Sequence, residues 1–344
     1  MRIAITADPF IPVPPLNYGG IERIIYLLVE GLIENGHEVI LVAHPDSNVS
    51  SELIIYSKSK SSLLLPLKNV HAINKLKKWK PDLIHSFSRL AYLIPFTLSK
   101  VPKIMSYQRE PTLSQIKKAV KISSKNSLFF TGCSNYISNQ IKPFASATTV
   151  YNCVNTRYYQ FKENCKHDAP LVFLGRIEPI KGTHTAIKAA IATQKKLIIA
   201  GNIPSEYQGY FDTEIKPHLS QSIQYVGEVN DQQKNEILGN SCALLMPIDW
   251  NEPFGIVTIE AMACGTPVIG HVKGALPEII NHGVNGFLAN NFDELCNYIH
   301  QIDQISRAAV RSSVEEKFSS EKIINDYISL YRQIISSNTN KNLL

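Results

Sequence analysis

Two glutamates, Glu252 and Glu260, stand eight positions apart in NEPFGIVTIEAMACGTPVIG, a segment that is otherwise small and apolar. An ionised carboxylate is costly to desolvate, so each acid needs a polar partner or a way out to solvent. Pro253 and Gly255 place Glu252 in a loop. From Gly255 to Cys264 the residues favour helix, Gly265 and Pro267 stop it, and PVIG reads as a short buried strand. The start of that helix frees N–H groups at Phe254, Gly255, Ile256 and Val257, a natural seat for phosphate. Two acids bracketing an anion seat suit a ligand that carries both phosphates and hydroxyls. The ordinary alternative is a solvated loop acid and a helix acid on an exposed edge.

Two more stretches carry the same kind of chemistry. In PLVFLGRIEPIKGTH, Arg176 follows a strand and Lys181 precedes a helix, with Thr183 as its expected N-cap. Arg as a fork and Lys as a point charge suit a diphosphate; the alternative is a pair of solvated cations. In DPFIPVPPLNYGGIER, Gly19 and Gly20 directly precede a helix and let a ligand approach its free N–H groups. The alternative there is a plain glycine turn. G-x-G-x-x-G is absent after every strand, which argues against a dinucleotide fold.

The elements that must hold these residues alternate between strand-like and helix-like segments. RIAITA, EVILVA, DLIHSF, PKIMSY and LFFTGC form one series; PLVFLG, KLIIAG, IQYVGEV, CALLMP and PVIG form another. Apolar strands separated by helices imply parallel sheets covered on both faces, here two doubly wound α/β domains. Such sheets bind ligands at the carboxyl ends of their strands. The polar stretch Lys162 to Pro170 is read as the linker. The expected division is 1–160, 170–315, a helix at 316–335 packing back toward the N-terminal domain, and a disordered tail at 336–344.

Length and composition agree: 344 residues, 44% hydrophobic and 19% charged, fit two globular domains. Six scattered cysteines without a CxxC pair point to a reducing, cytoplasmic setting and no metal site. The first residues read as a strand, not a signal peptide, and no apolar run reaches the ~20 residues needed to span a bilayer. The net charge of +6 is unevenly spread, with fifteen Lys/Arg against three Asp/Glu between Ser51 and Lys125. Within that region Lys117, Lys118, Lys121 and Lys125 line one side of an expected helix, with Leu113, Ile116 and Val120 opposite. Two readings stand: a solvated face, or a peripheral contact with an anionic membrane surface. No nucleic-acid reading module is present.

GRIEPIKG, then EPFGIVTIEAMACGTPVIG, then HGVNGFL resemble the C-terminal domain of glycosyltransferase family 4, and YGGIER with GLIENGHEVILVA resembles the start of its N-terminal domain. The resemblance implies the GT-B fold, two Rossmann-like domains facing a central cleft. It also implies a retaining transfer of a hexosyl unit from a nucleotide diphosphate sugar, UDP-sugar first among them, to a hydroxyl acceptor. On this resemblance Glu260 is the second acid of the E-x7-E motif and meets ribose hydroxyls, while Glu252 lies near the donor sugar. Arg176 and Lys181 hold the diphosphate and, with Glu252, form the catalytic set. The backbone of Phe254, Gly255, Ile256 and Val257 contacts phosphate or sugar, and Gly19 and Gly20 close over the diphosphate. No metal or other cofactor is implied, and the chain has no D-x-D with which to hold a divalent ion. Where the family commonly has a histidine after the PKIMSY strand, this chain reads Gln108-Arg109-Glu110. Gln108, Arg109 and His85 are therefore the candidates for sugar or acceptor contact. A catalytically inactive nucleotide-sugar-binding partner on the same fold is the alternative.

Overall fold

The computed structural model describes residues 1–16, 19–57 and 65–340. They form two units: residues 1–152 together with the helix beginning at Ser320, and Cys153–Ser319.

In the first unit the parallel strands are β1 (Arg2–Thr6), β2 (Glu38–Ala43), β3 (Glu52–Ile55), β4 (Leu83–Ser86), β5 (Lys103–Tyr107), β6 (Leu128–Gly132) and β7 (Ala147–Thr149). Their order is β3-β2-β1-β4-β5-β6-β7. Ile3, Ala4, Ile5, Leu41, Val42, Leu83 and Ile84 are fully buried, as expected of strands covered on both faces. The order turns back between β1 and β4, the switch point at which such sheets open a crevice. Helix α1 (Gly20–Glu34) buries Ile24, Ile25, Leu28, Val29 and Leu32 along one side. The C-terminal helix Ser320–Asn340 lies on α1, and at Gly31 a Cβ would fall 2.2 Å from Ile324 Cδ1, so a larger residue there would have to displace the Ile324 side chain. Helices α2 (Leu65–Asn74) and α3 (Leu113–Ile122) follow β3 and β5.

The second unit repeats the plan with β8 (Leu171–Leu174), β9 (Leu197–Ala200), β10 (Ile223–Tyr225), β11 (Ala243–Met246), β12 (Val268–His271) and β13 (Gly286–Ala289). Its parallel order is β10-β9-β8-β11-β12-β13, with the switch point between β8 and β11. The segments carrying Arg176 and Glu252 are the loops that leave these two central strands. Helices α4 (Thr183–Ala192), α5 (Asp231–Asn240) and α6 (Ile256–Ala263) follow β8, β10 and β11.

The boundary between the units falls at Asn152, not between 160 and 170. The polar stretch expected to be the linker is bound into the second unit. Lys162 N–H donates to Cys264 O, its ammonium reaches Asn240 Oδ1, and its carbonyl accepts from Arg307 Nε at 2.7 Å. Buried Arg307 also donates to the carbonyls of Ser241 and Gly239, so its fork satisfies chain ends that packing would otherwise orphan. The expected disordered tail is helical as far as Asn340; the last four residues lie outside the described residues.

His85, a candidate sugar contact, is fully buried in β4. Its Nδ1 meets Tyr331 Oη of the C-terminal helix at 2.5 Å and its Nε2 meets Ser106 Oγ of β5 at 2.6 Å. The ring is a neutral tie between two strands and a helix and is not open to a sugar. Burial holds its pKa down to about 3. That is below the unfolded value near 6.5, so the unfolded chain takes up the proton first. The stability linked to His85 is therefore complete above pH ~6.5 and is lost as pH falls toward 3, by about 2 kcal/mol at pH 5. Urea melts from pH 7 to 5 should show a falling midpoint that His85→Gln flattens; equal slopes would remove His85 from this role.

Candidate functional site

The loops after β8 and β11 meet through their backbones. Asp249 N–H donates to Ile180 O at 2.8 Å, and a Cβ on Gly182 would lie 2.0 Å from Pro247 O. Gly182 also has φ +77°, so it, and not Thr183, occupies the cap position of α4. A β-branched residue fits neither the space nor the backbone angle.

This contact brings Lys181 to Glu252. Lys181 Nζ lies 2.6 Å from Glu252 Oε2 and 4.5 Å from the centre of the Trp250 ring, whose Nε1 donates to the same oxygen at 3.1 Å. The sequence reading gave the two residues to different parts of a ligand; the fold pairs them. An ammonium has three donors, so two remain after the Glu252 bond. Arg176 Nη2 donates to buried Glu178 at 2.8 Å, while its Nε is buried without an acceptor among the described residues. A buried donor on a charged group without an acceptor is unusual enough to need a reason.

Helix α6 begins at Gly255 with no side-chain cap, and α4 begins at Gly182 in the same way. The helices beginning at Asp231, Phe292 and Arg307 are capped by Asn230, Asn291 and Ser306, while the short helix Leu276–Ile279 also lacks a side-chain cap. The first N–H groups of α6, at half-buried Ile256 and Val257, thus have no N-cap side chain, and the cap residue Gly255 lies against Glu252. Phe254 contributes backbone only, because its ring is buried against Phe318.

Glu260 projects from α6 into a buried polar cluster. Its Oε1 accepts from Tyr159 Oη at 2.7 Å and pairs with the ammonium of Lys234 on α5. The core-like acid thus has two polar partners inside the unit. Neither Lys234 nor Tyr159 was singled out from the sequence. Lys234 is the one cation of α5 and is buried, yet nothing local distinguishes it from a solvated lysine.

The first unit presents a second polar group at its own switch point. Gly19 caps α1 without a side chain and Gly20 opens the helix; Asn17 and Tyr18 lie outside the described residues. Asp8 follows β1, Arg89 follows β4, and Gln108 and Arg109 follow β5. Burial raises the Asp8 pKa, against the pull of Arg89 and Arg109, and burial likewise raises that of Glu22 on the first turn of α1. Asp8 Oδ1 and Gln108 Oε1 are buried without a donor among the described residues. Asp8, Glu22 and Arg89 were not singled out from the sequence, although each stands where a doubly wound sheet exposes its ligand side.

Two family models match this chain, "Glycosyltransferase Family 4" over residues 18–158 and "Glycosyl transferases group 1" over residues 157–311. The chain belongs to the family 4-like glycosyltransferases. Among curated relatives, N-acetyl-alpha-D-glucosaminyl L-malate synthase of Bacillus anthracis is 26% identical over 67% of this chain and 65% of its own length. Sucrose-phosphate synthase from Thermosynechococcus elongatus has the same fold, with a TM-score of 0.81 at 18% identity over 98% of this chain and 99% of that one. So does Anabaena HepE, solved with UDP and glucose, at a TM-score of 0.75 and 18% identity over 97% of this chain and all of that one. The two sheets of this glycosyltransferase are thus those of the GT-B fold.

Removing one member of a buried ion pair leaves an uncompensated charge at a cost of about 3–5 kcal/mol. Lys234→Met should lower the unfolding free energy from urea melts by that order, and adding Glu260→Gln should restore much of it. A single variant as stable as the parent would show that the pair carries no such energy.

Proposed function

We propose that this glycosyltransferase moves a hexosyl unit from a nucleotide diphosphate sugar, UDP-sugar first, to a hydroxyl acceptor with retention of anomeric configuration and without a metal ion. The observation that carries the reading is the convergence of Arg176, Lys181 and the uncapped start of α6 at the switch point of the second sheet. The UDP reading leans on HepE, whose structure holds UDP and glucose.

In this reading the diphosphate rests on the N–H groups of Gly255, Ile256 and Val257. Arg176 Nε and the remaining Lys181 donors reach its oxygens. Glu252 fixes Lys181 and accepts from a sugar hydroxyl. Ribose hydroxyls meet Glu260 at the carboxylate oxygen not taken by Lys234 and Tyr159. As the bond from the anomeric carbon to the diphosphate breaks, negative charge grows on the leaving group. Fixed cations and helix N–H groups stabilise that charge without reorganisation. The acceptor oxygen forms its bond from the same face, and its proton passes to the departing phosphate. No protein nucleophile is assigned. Gly19, Gly20, Gln108 and Arg109 belong to the first unit's part in binding donor and acceptor, and Asp8 and Glu22 join them.

The alternative, an inactive nucleotide-sugar-binding protein, predicts binding without turnover; the complete charge set disfavours it. No helix among the described residues is long and apolar enough to cross a membrane. The six free cysteines support a cytoplasmic setting.

Glu260→Ala should weaken binding of UDP by about ten- to a hundredfold, since hydrogen bonds to a charged acceptor are worth roughly 1.5–3 kcal/mol. Unchanged binding by calorimetry in a folded variant would sink the ribose assignment. Arg176→Ala and Lys181→Ala should reduce kcat, followed as release of nucleoside diphosphate, by more than any loss in donor affinity. Turnover should persist in excess EDTA, and NMR of the product from an α-linked donor should show an α linkage. A strict need for a divalent ion, or a β-linked product, would contradict the mechanism.

A further inference from the structure

The first unit carries an apolar face ringed by lysines that the transfer reaction does not use. Helix α3 buries only Ile116 completely. Val120 is 39% exposed and Ile122 56%. The neighbouring 3-10 segment Leu90–Phe96 exposes Ile94 at 59%, and Leu98 just beyond it is 84% exposed. A solvated basic helix would turn its apolar stripe into the domain, whereas this one leaves much of it at the surface.

Between α3 and the 3-10 segment runs a groove of about 200 Å³, lined by Leu90, Leu93, Ile94, Ala119, Ile122 and Leu128. Its walls are tied together. Ser124 N–H donates to Thr97 O at 2.8 Å, and buried Lys103 donates from Nζ to Phe96 O and Ser99 O at 2.9 and 2.7 Å. The groove is thus bounded by fixed backbone.

Exposed cations stand on α3 and on the segments flanking it and the 3-10 segment. Lys100, Lys117, Lys118, Lys121 and Lys125 are exposed, and Lys118 lines the groove itself. The chain from β3 to β6 steps across the sheet in one direction, so right-handed crossovers put α2, the 3-10 segment and α3 on one face. Lys77, 5.9 Å from the centre of the Phe96 ring, extends the basic field along that face.

We propose that this face docks on the surface of an anionic lipid bilayer, with the exposed apolar residues entering the acyl region and the groove receiving lipid hydrocarbon. Charge complementarity selects the occupant. A protein partner would need a matching acidic surface, whereas an anionic leaflet supplies both negative charge and hydrocarbon in one layer. Attachment is peripheral and reversible, and the proposal does not depend on the transferase reading.

The test is flotation of the full chain with vesicles of phosphatidylcholine alone or with 30% phosphatidylglycerol. Binding should require the anionic lipid and weaken as salt shortens the Debye length below ~10 Å. Lys117→Glu with Lys118→Glu and Lys121→Glu should lower partitioning at least tenfold. Ile94→Asp with Leu98→Asp and Ile122→Asp should abolish the part that survives 0.5 M salt. Leu98→Trp should give an emission blue shift with anionic vesicles alone. Far-UV circular dichroism and the thermal unfolding midpoint should be unchanged in every variant, which confirms that each is folded. Absent or equal binding to the two vesicle types, or binding without a blue shift at position 98, would overturn the proposal. Concentration-dependent self-association abolished by the same apolar substitutions would do so as well, by giving the face to a second copy of the chain.

Discussion

Much of the second unit's chemistry rests on one steric constraint: the loops leaving β8 and β11 touch so closely that no side chain fits at Gly182. The Asp249 to Ile180 backbone bond fixes this contact. It carries Lys181 to Glu252, and the pair lies beside the uncapped start of α6. A bulkier residue at 182 would separate two loops that come from neighbouring strands. The sheet order explains why those strands are neighbours: β8 and β11 flank the point at which the chain reverses its direction of travel. Topology thus supplies the crevice, and one glycine sets how tightly its walls meet.

The acids of the second unit divide their work by partner. Glu178 and Glu252 hold cations at the strand ends, Arg176 and Lys181 respectively. Glu260 neutralises Lys234 inside the unit. Each pairing keeps a cation in place while limiting its net field.

Much of the fold was legible because parallel strands buried on both faces leave an unbroken apolar record, as in RIAIT, EVILVA and ALLM. The helix from Ile256 was equally plain, since Gly265 and Pro267 announce its end. What escaped depends on distant partners. Glu260 and Lys234 lie 26 residues apart, and no local pattern joins them. The stretch from Lys162 reads as a linker because it is polar, yet its polar groups are spent on carbonyls and amides of the second unit. His85 and Thr183 looked functional or capping by position; burial decided the first and the Gly182 backbone angle the second.

The tie from His85 to Tyr331 joins the fourth strand of the chain to its last helix, 246 residues away. The first unit is therefore discontinuous in sequence, and the second interrupts it without a break. During synthesis from the N-terminus, the later-encoded unit has all its residues once Ser319 has left the ribosome. The earlier one still lacks the helix that covers α1 and engages the imidazole. The order of completion is thus the reverse of the order of appearance. A nascent chain must carry an open apolar flank along α1 until the residues of the helix from Ser320 emerge. Loss of those residues would be felt at the opposite end of the sequence, in strands made long before them.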